Sequence, residues 1–317
     1  SRRRSFAAMS TASESAGQSS GTQTKKLKIA VIHPDLGIGG AERLIVDAAC
    51  QLAAHGHDVH IFTSHHDRNR CFEETVSGPF PVTVYGDFLP RHVFHRFHAV
   101  CAYLRCIFVA LCVLLWWHSF DVILVDQVSV VIPLLKLKKS SKIMFYCHFP
   151  DLLLAQHTTI LRRLYRKPID MIEEATTGMA DLILVNSKFT AATFARTFRG
   201  LHARGIEPGV LYPAVPIEQF HEPRDYKLNF LSVNRFERKK NLGLAISAFA
   251  LLRLVVSKQP GDARQEASLT VAGDVCLCTI SYHLFTVNLT ASWVLFNSSK
   301  LLTADHCLLY FSCLRWV

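Results

Sequence analysis

Short runs rich in Val, Ile and Leu alternate along this chain with longer stretches in which apolar residues recur every three or four positions. The short runs predict strands at 27–33, 58–64, 82–85, 121–126, 142–148, 181–186 and 209–212, and the longer stretches predict helices over 41–55, 93–118, 159–178 and 187–199. In the first helix Ala41, Leu44, Ile45, Ala48 and Leu52 share one face. Near-continuous apolar strands alternating with helices imply a parallel sheet covered on both sides, so 27–212 is expected to be one doubly wound α/β domain.

A stretch with three prolines, YPAVPIEQFHEPRDY, follows, and 213–227 suits a linker. The pattern then restarts with a strand at 228–234, the polar loop RFERKK, a helix over 241–256 and a strand at 268–272. Residues 228–273 are therefore expected to open a second Rossmann-like domain. From Asp274 onward the chain is apolar, cysteine-bearing and almost uncharged, and no helical or strand period is sustained. The expectation is that 274–317 is an aberrant tail standing in for the rest of that domain. In that case Ile246, Phe249 and Leu252 would lack partners and the chain would have little or no activity.

Composition narrows the function. The chain has 317 residues, half of them hydrophobic, with a formal net charge of +10. The excess sits in short clusters without interleaved aromatics, and no zinc-finger or helix-turn-helix pattern appears, so nucleic acid is not an expected partner. Residues 1–26 predict a disordered leader with no apolar core of signal-peptide length. The ten cysteines form no framework, and the CxC of Cys276 and Cys278 has no second half, so no metal site is expected. Residues 100–117, VCAYLRCIFVALCVLLWW, barely reach spanning length with one charge, Arg105. Flanking strands of one parallel sheet cannot lie on opposite sides of a bilayer. A helix in the cytosolic leaflet, with Trp116 and Trp117 at the interface, is favoured over a buried core helix.

The candidate chemistry lies at strand ends. HPDLGIGGAERL, residues 33–44, carries Gly37, Gly39 and Gly40 between the first strand and the first helix. The spacing is not G-x-G-x-x-G, which argues against a dinucleotide. A tight structural turn and a loop pressed against a sugar or diphosphate remain. His148, in FYCHFPD, falls at the C-terminal end of a strand, where open α/β sheets bind ligands. Arg235 and Lys240, in VNRFERKKN, follow a strand and enter a helix, an arrangement that suits a diphosphate. The coincidence of these features favours the ligand loop.

Together, HPDLGIGGAERL, YCHFPDLLL, RLYRKPID, EEATTGMADLILVNSKFTAATF and NRFERKKNLGLAI resemble the retaining GT-B glycosyltransferases, and within them the mannosyltransferases that build dolichol-linked oligosaccharide. The resemblance covers 27–273. It implies α/β architecture with two Rossmann-like domains facing a cleft, the second incomplete here. It implies transfer of mannose from GDP-mannose to Man1GlcNAc2-diphosphodolichol, first α-1,3 and then α-1,6, at the cytosolic face of the endoplasmic reticulum membrane. Other mannosyltransferases of that route are implied partners, and neither cofactor nor metal is implied. By the same resemblance Gly39 and Gly40 lie near donor phosphate and acceptor, His148 faces the transferred sugar, and Arg235 and Lys240 grip the diphosphate with Lys239 beside them. The second-domain glutamate pair of such enzymes has no counterpart in this chain. A second reading is a non-catalytic chain that binds membrane or enzyme partners.

Overall fold

Seven strands, β1 (Lys28–His33), β2 (Asp58–Thr63), β3 (Val82–Val84), β4 (Val122–Asp126), β5 (Lys142–Cys147), β6 (Leu182–Val185) and β7 (Gly209–Val210), form one sheet in a computed structural model of the chain. The structure describes residues 25–93, 97–155, 159–215, 228–234, 240–256, 267–274, 284–290, 293–296 and 301–302. The chain divides into two units, Ser1–Val215 and Pro216–Val317.

In the first unit every strand pair is parallel and the order is β3-β2-β1-β4-β5-β6-β7. The predicted strands all form. The predicted helices are α1 (Gly40–Ala54), α3 (His98–Trp116), α6 (Ile160–Thr177) and α7 (Lys188–Thr197). Four short helices join them: α2 (Glu74–Ser77), α4 (Ile132–Leu135), α5 (Asp151–Leu154) and α8 (Arg199–Ala203). Each is five residues or fewer, too short to show a helical period.

Alternation along the strands divides the core in two. Ala30 and Ile32 of β1 face a layer with Val109 and Val113 of α3, Ile123 and Val125 of β4, and Phe194 of α7. Ile29 and Val31 face the other layer, with Ile45, Val46 and Ala49 of α1, Leu124 of β4 and Tyr146 of β5. Both faces are covered, which is why these strands read as unbroken apolar runs.

The α3 helix corrects part of the membrane expectation. Cys101, Arg105, Cys106, Val109, Ala110, Cys112 and Val113 are buried, so one side is a core helix. Trp117 is half-buried. It packs edge-on against Phe62 at 4.9 Å and donates Nε1–H to Tyr85 Oη at 3.0 Å. The opposite side exposes Leu104, Leu111, Leu115 and Trp116.

In the second unit β8 (Asn229–Val233), α9 (Leu242–Val256) and β9 (Ser268–Asp274) form, with β8 and β9 parallel. The sequence reading had no strand beyond them. The structure adds β10 (Leu284–Thr290), β11 (Trp293–Phe296) and β12 (Leu301–Leu302), paired antiparallel onto β9 in turn. The missed signal is a short alternation, Phe285, Val287 and Leu289 against Thr286, Asn288 and Thr290. The expectation that α9 lacks partners is also corrected. Phe249 is buried with Leu242, Leu269 and Val271, and Ile246 and Leu252 pack against that cluster.

Candidate active site

The strand order reverses direction between β1 and β4, and open α/β sheets bind ligands outside the carboxyl ends of strands at such a point. Three titratable side chains meet there. Ile32 lies opposite Val125, so the next residues, His33 and Asp126, stand side by side at the ends of β1 and β4. Asp126 in turn lies opposite Tyr146, two residues before His148. Residues 29, 31 and 33, 124 and 126, and 146 and 148 share the sheet face that α1 covers, because side chains alternate along a strand.

The contacts follow from this placement. His33 Nδ1 lies 2.7 Å from Asp126 Oδ2, and both side chains are wholly buried. His148 Nε2 lies 2.9 Å from Asp126 Oδ1, and the His148 ring is partly exposed. His33 Nε2 points toward Glu42 of α1, 3.9 Å from Oε1. Burial pulls the His33 imidazole down, but the hydrogen bond to Asp126 and the nearby Glu42 carboxylate outweigh it and raise the group to about 9. Burial would raise Asp126, yet His148 and His33 hold it below its ordinary value. Glu42 is likewise lowered by His33 against its own burial. The site therefore carries a buried imidazolium between two carboxylates.

His148 faces an open pocket of about 1350 Å³, whose wall includes Gln127 and Ser129 after β4 and Tyr103 and Arg105 of α3. Gln127 has φ 63°, a left-handed conformation that a non-glycine residue adopts at some cost, right after Asp126. The His148 carbonyl accepts Nδ2–H of Asn186 at 3.1 Å. The following loop is pinned by Glu173, whose carboxylate accepts N–H of Asp151 at 2.7 Å and of Leu152 at 3.0 Å. Burial raises Glu173 to about 7. Arg166, also buried, donates to Asp151 Oδ2 at 2.8 Å. Phe97, Leu154, Leu161 and Tyr165 give the pocket an apolar side.

The glycine loop meets the same chain of contacts through Glu42. Gly39 is the N-cap of α1 with extended backbone, so its φ needs no glycine. A Cβ on Gly39 would strike the Glu42 carboxylate, the free end of a side chain, and one on Gly40 would meet nothing within 4 Å. Neither conformation nor packing demands glycine at 40. With no side-chain cap, the first-turn N–H groups of α1 keep their donor capacity.

Glu42, in the first turn of α1 just after Gly39 and Gly40, is thus linked through His33 and Asp126 to His148. In the second unit Lys240 is exposed, two residues ahead of α9, on the loop entering that helix. Arg235 and Lys239 lie outside the described residues. Among the described residues no group of three His, Cys, Asp or Glu side chains is arranged to hold a metal ion. The sequence reading missed His33, Asp126 and Glu42. The available signal was a titratable residue ending each of two apolar strands, LKIAVIH and DVILVD.

The family model described as Glycosyltransferase Family 4 matches residues 38–199. Curated relatives carry the name "Alpha-1,3/1,6-mannosyltransferase ALG2". One from Rhizomucor pusillus is 48% identical over 262 residues, 79% of this chain and 57% of that protein. One from Homo sapiens is 49% identical over 262 residues, 78% of this chain and 61% of that protein. One from Saccharomyces cerevisiae is 46% identical over 239 residues, 71% of this chain and 47% of that protein. The chain therefore spans less than two thirds of the length of these relatives. Among solved structures, the catalytic domain of starch synthase IV from Arabidopsis thaliana, bound to ADP and acarbose, matches with a TM-score of 0.53 at 13% identity, over 80% of this chain and 70% of that one. That similarity is one of fold.

Proposed function

The chain belongs to glycosyltransferase family 4, and from that premise we propose that it serves a retaining mannosyltransferase, moving mannose from GDP-mannose to a dolichol-diphosphate-linked oligosaccharide, first α-1,3 and then α-1,6. The observation that carries the reading is His148, held on Asp126 at the switch point of the sheet and facing the pocket. The names of relatives at 46–49% identity supply mannose as the group transferred and α-1,3 and α-1,6 as the linkages; the donor and acceptor come from the resemblance of the motifs.

In such a transfer the bond between the anomeric carbon and the β-phosphate oxygen breaks, and negative charge grows on the departing GDP. Lys240 and Arg235, on the loop entering α9, are the groups proposed to neutralise it. Preorganised charge of this kind is often the largest catalytic term. His148 orients the sugar instead of attacking it, and no protein nucleophile is assigned. No cofactor or metal is assigned to the reaction. The site of action we infer is the cytosolic face of the endoplasmic reticulum membrane. The apolar outer stripe of α3 would lie in the lipid, and other mannosyltransferases of lipid-linked oligosaccharide synthesis would be neighbours.

One observation favours a second reading, in which the chain holds the acceptor without turnover. Its second sheet continues antiparallel after β9, where a doubly wound domain continues parallel. Transfer assays with GDP-mannose and Man1GlcNAc2-diphosphodolichol separate the two. They use this chain and a chimera in which residues 27–215 replace the aligned part of the Saccharomyces cerevisiae relative. The chimera is expected to add two mannoses in sequence. A folded chimera that makes no product overturns the proposal. Product from the chimera, with binding but no product from the chain, is the outcome of the second reading.

A further inference from the structure

The pocket histidine is connected to the interior by more than one contact. Asp126 is wholly buried; its Oδ2 is hydrogen-bonded to His33 at 2.7 Å, and its Oδ1 lies 2.9 Å from His148 Nε2 in an ion-pair contact that is not aligned as a hydrogen bond. A buried carboxylate is costly unless its neighbours donate hydrogen and carry opposite charge. His33 does both. Its second nitrogen is turned toward Glu42, so the imidazolium is bracketed by a carboxylate from α1 and one from β4. Tyr146 packs its ring edge-on to His148 at 4.8 Å and donates its hydroxyl to Leu211 O at 2.9 Å, so it does not compete for Asp126.

An ionised carboxylate only accepts hydrogen bonds. A bare nitrogen lone pair 2.9 Å from that carboxylate oxygen would be repelled, so the nitrogen of His148 facing Asp126 is the one that carries the proton. We propose that Asp126 and His33 are positioning residues that hold His148 as its Nε2–H tautomer, leaving Nδ1 as the nitrogen that meets the occupant of the pocket, while Glu42 ties this chain to the first turn of α1. The ring then presents an acceptor for a sugar hydroxyl. That use rests on the mannosyltransferase reading, whereas the tautomer and the buried charge belong to this chain whatever it transfers. The same chain of contacts explains why a glutamate follows the glycines in GGAE. Glu42 balances His33, which keeps Asp126 ionised. His33 itself has no access to solvent.

The test is nitrogen-15 NMR of the histidine rings in the full chain, labelled at histidine. Signals are assigned by their loss in His148→Gln and His33→Gln. In the unmutated chain at pH 7.5 both nitrogens of His33 are expected to be protonated, with the proton lost near pH 9. Neutral His148 is expected to show a protonated Nε2 and a bare Nδ1. Asp126→Asn should bring His33 back toward the ordinary histidine value of 6.5. Asp126→Leu, which removes the acceptor at similar volume, should release His148 into a mixture of tautomers. A neutral His33 in the unmutated chain at pH 7.5 overturns the proposal, as does an unchanged His148 tautomer in Asp126→Leu. Should Asp126→Leu fail to fold, an unshifted His33 in Asp126→Asn is enough to overturn it. None of these spectra needs a substrate, so their failure is distinct from absence of mannosyl transfer.

Discussion

At the scale of single residues, His33 makes stability depend on pH in a defined direction. Its folded value of about 9 lies above the ordinary 6.5, so the stabilisation is complete below pH 6.5 and is lost as pH rises through 9. At 1.36 kcal/mol per pH unit the whole effect is about 3 kcal/mol. Glu173 acts in the same direction lower down, held at about 7 against 4.5, so its contribution fades as pH rises from 4.5 through 7. Asp126 and Glu42, both held low, act oppositely, and their contribution is lost as pH falls through the carboxylate range. The melting temperature of the chain, followed by circular dichroism, should therefore fall between pH 6.5 and 9.5, and His33→Gln should flatten that limb. Equal slopes in both proteins would remove the imidazolium. Gly40→Ala separates folding from function. Nothing lies within 4 Å of the added methyl, so stability should hold or rise by about 0.4–1 kcal/mol, while transfer by a chimera that also carries this loop falls. Lys240→Ala, in an active form that carries its loop, should slow transfer at limiting GDP-mannose by roughly tenfold to a hundredfold, the loss of one charge-assisted hydrogen bond. An unchanged rate would take Lys240 out of the donor site. The site was half legible in the sequence. Gly39, Gly40 and His148 sit in motifs that announce a loop at a strand end. His33 and Asp126 meet across 93 residues, and only the adjacency of β1 and β4, which no local pattern states, brings them together.

At the scale of elements, the strands of the first unit were legible because a sheet buried on both faces needs unbroken Val and Ile runs. The four short helices were not, since a single turn carries no period. The α3 helix shows both limits. Its length and composition fit a membrane helix, but which side is buried depends on what packs against it. Arg105 illustrates this: the one charge in the apolar run is turned inward and donates to Ser64 O at 3.0 Å. Leu104, Leu111 and Leu115 form the exposed stripe that is proposed to meet lipid. Leu111→Asp combined with Leu115→Asp should release the chain from microsomes and leave its circular dichroism spectrum unchanged, because neither side chain is in the core. A variant that folds and still sediments with the membranes would assign α3 to packing alone. In the second unit, Phe285, Val287 and Leu289 alternate over too few residues to stand out in an apolar stretch, which is why β10 escaped the sequence reading.

At the scale of the whole molecule, the first unit holds a complete parallel sheet with cores on both faces, and it contains the full chain of contacts from Glu42 to His148. Limited proteolysis should leave a resistant fragment ending near Val215, where the chain divides, and uniform digestion across that point would contradict the division. Lys240, proposed above to meet the donor, belongs to the other unit. The central claim is that His148 at the switch point orients the sugar that is transferred. The most direct measurement compares initial rates of mannose transfer from GDP-mannose to Man1GlcNAc2-diphosphodolichol by the chimera carrying residues 27–215, with His148 intact and with His148→Ala. The account predicts a loss of roughly a hundredfold, the scale set by misplacing a reacting group by about an ångström, with the melting temperature unchanged. A His148→Ala chimera that transfers mannose at the unmutated rate would contradict it.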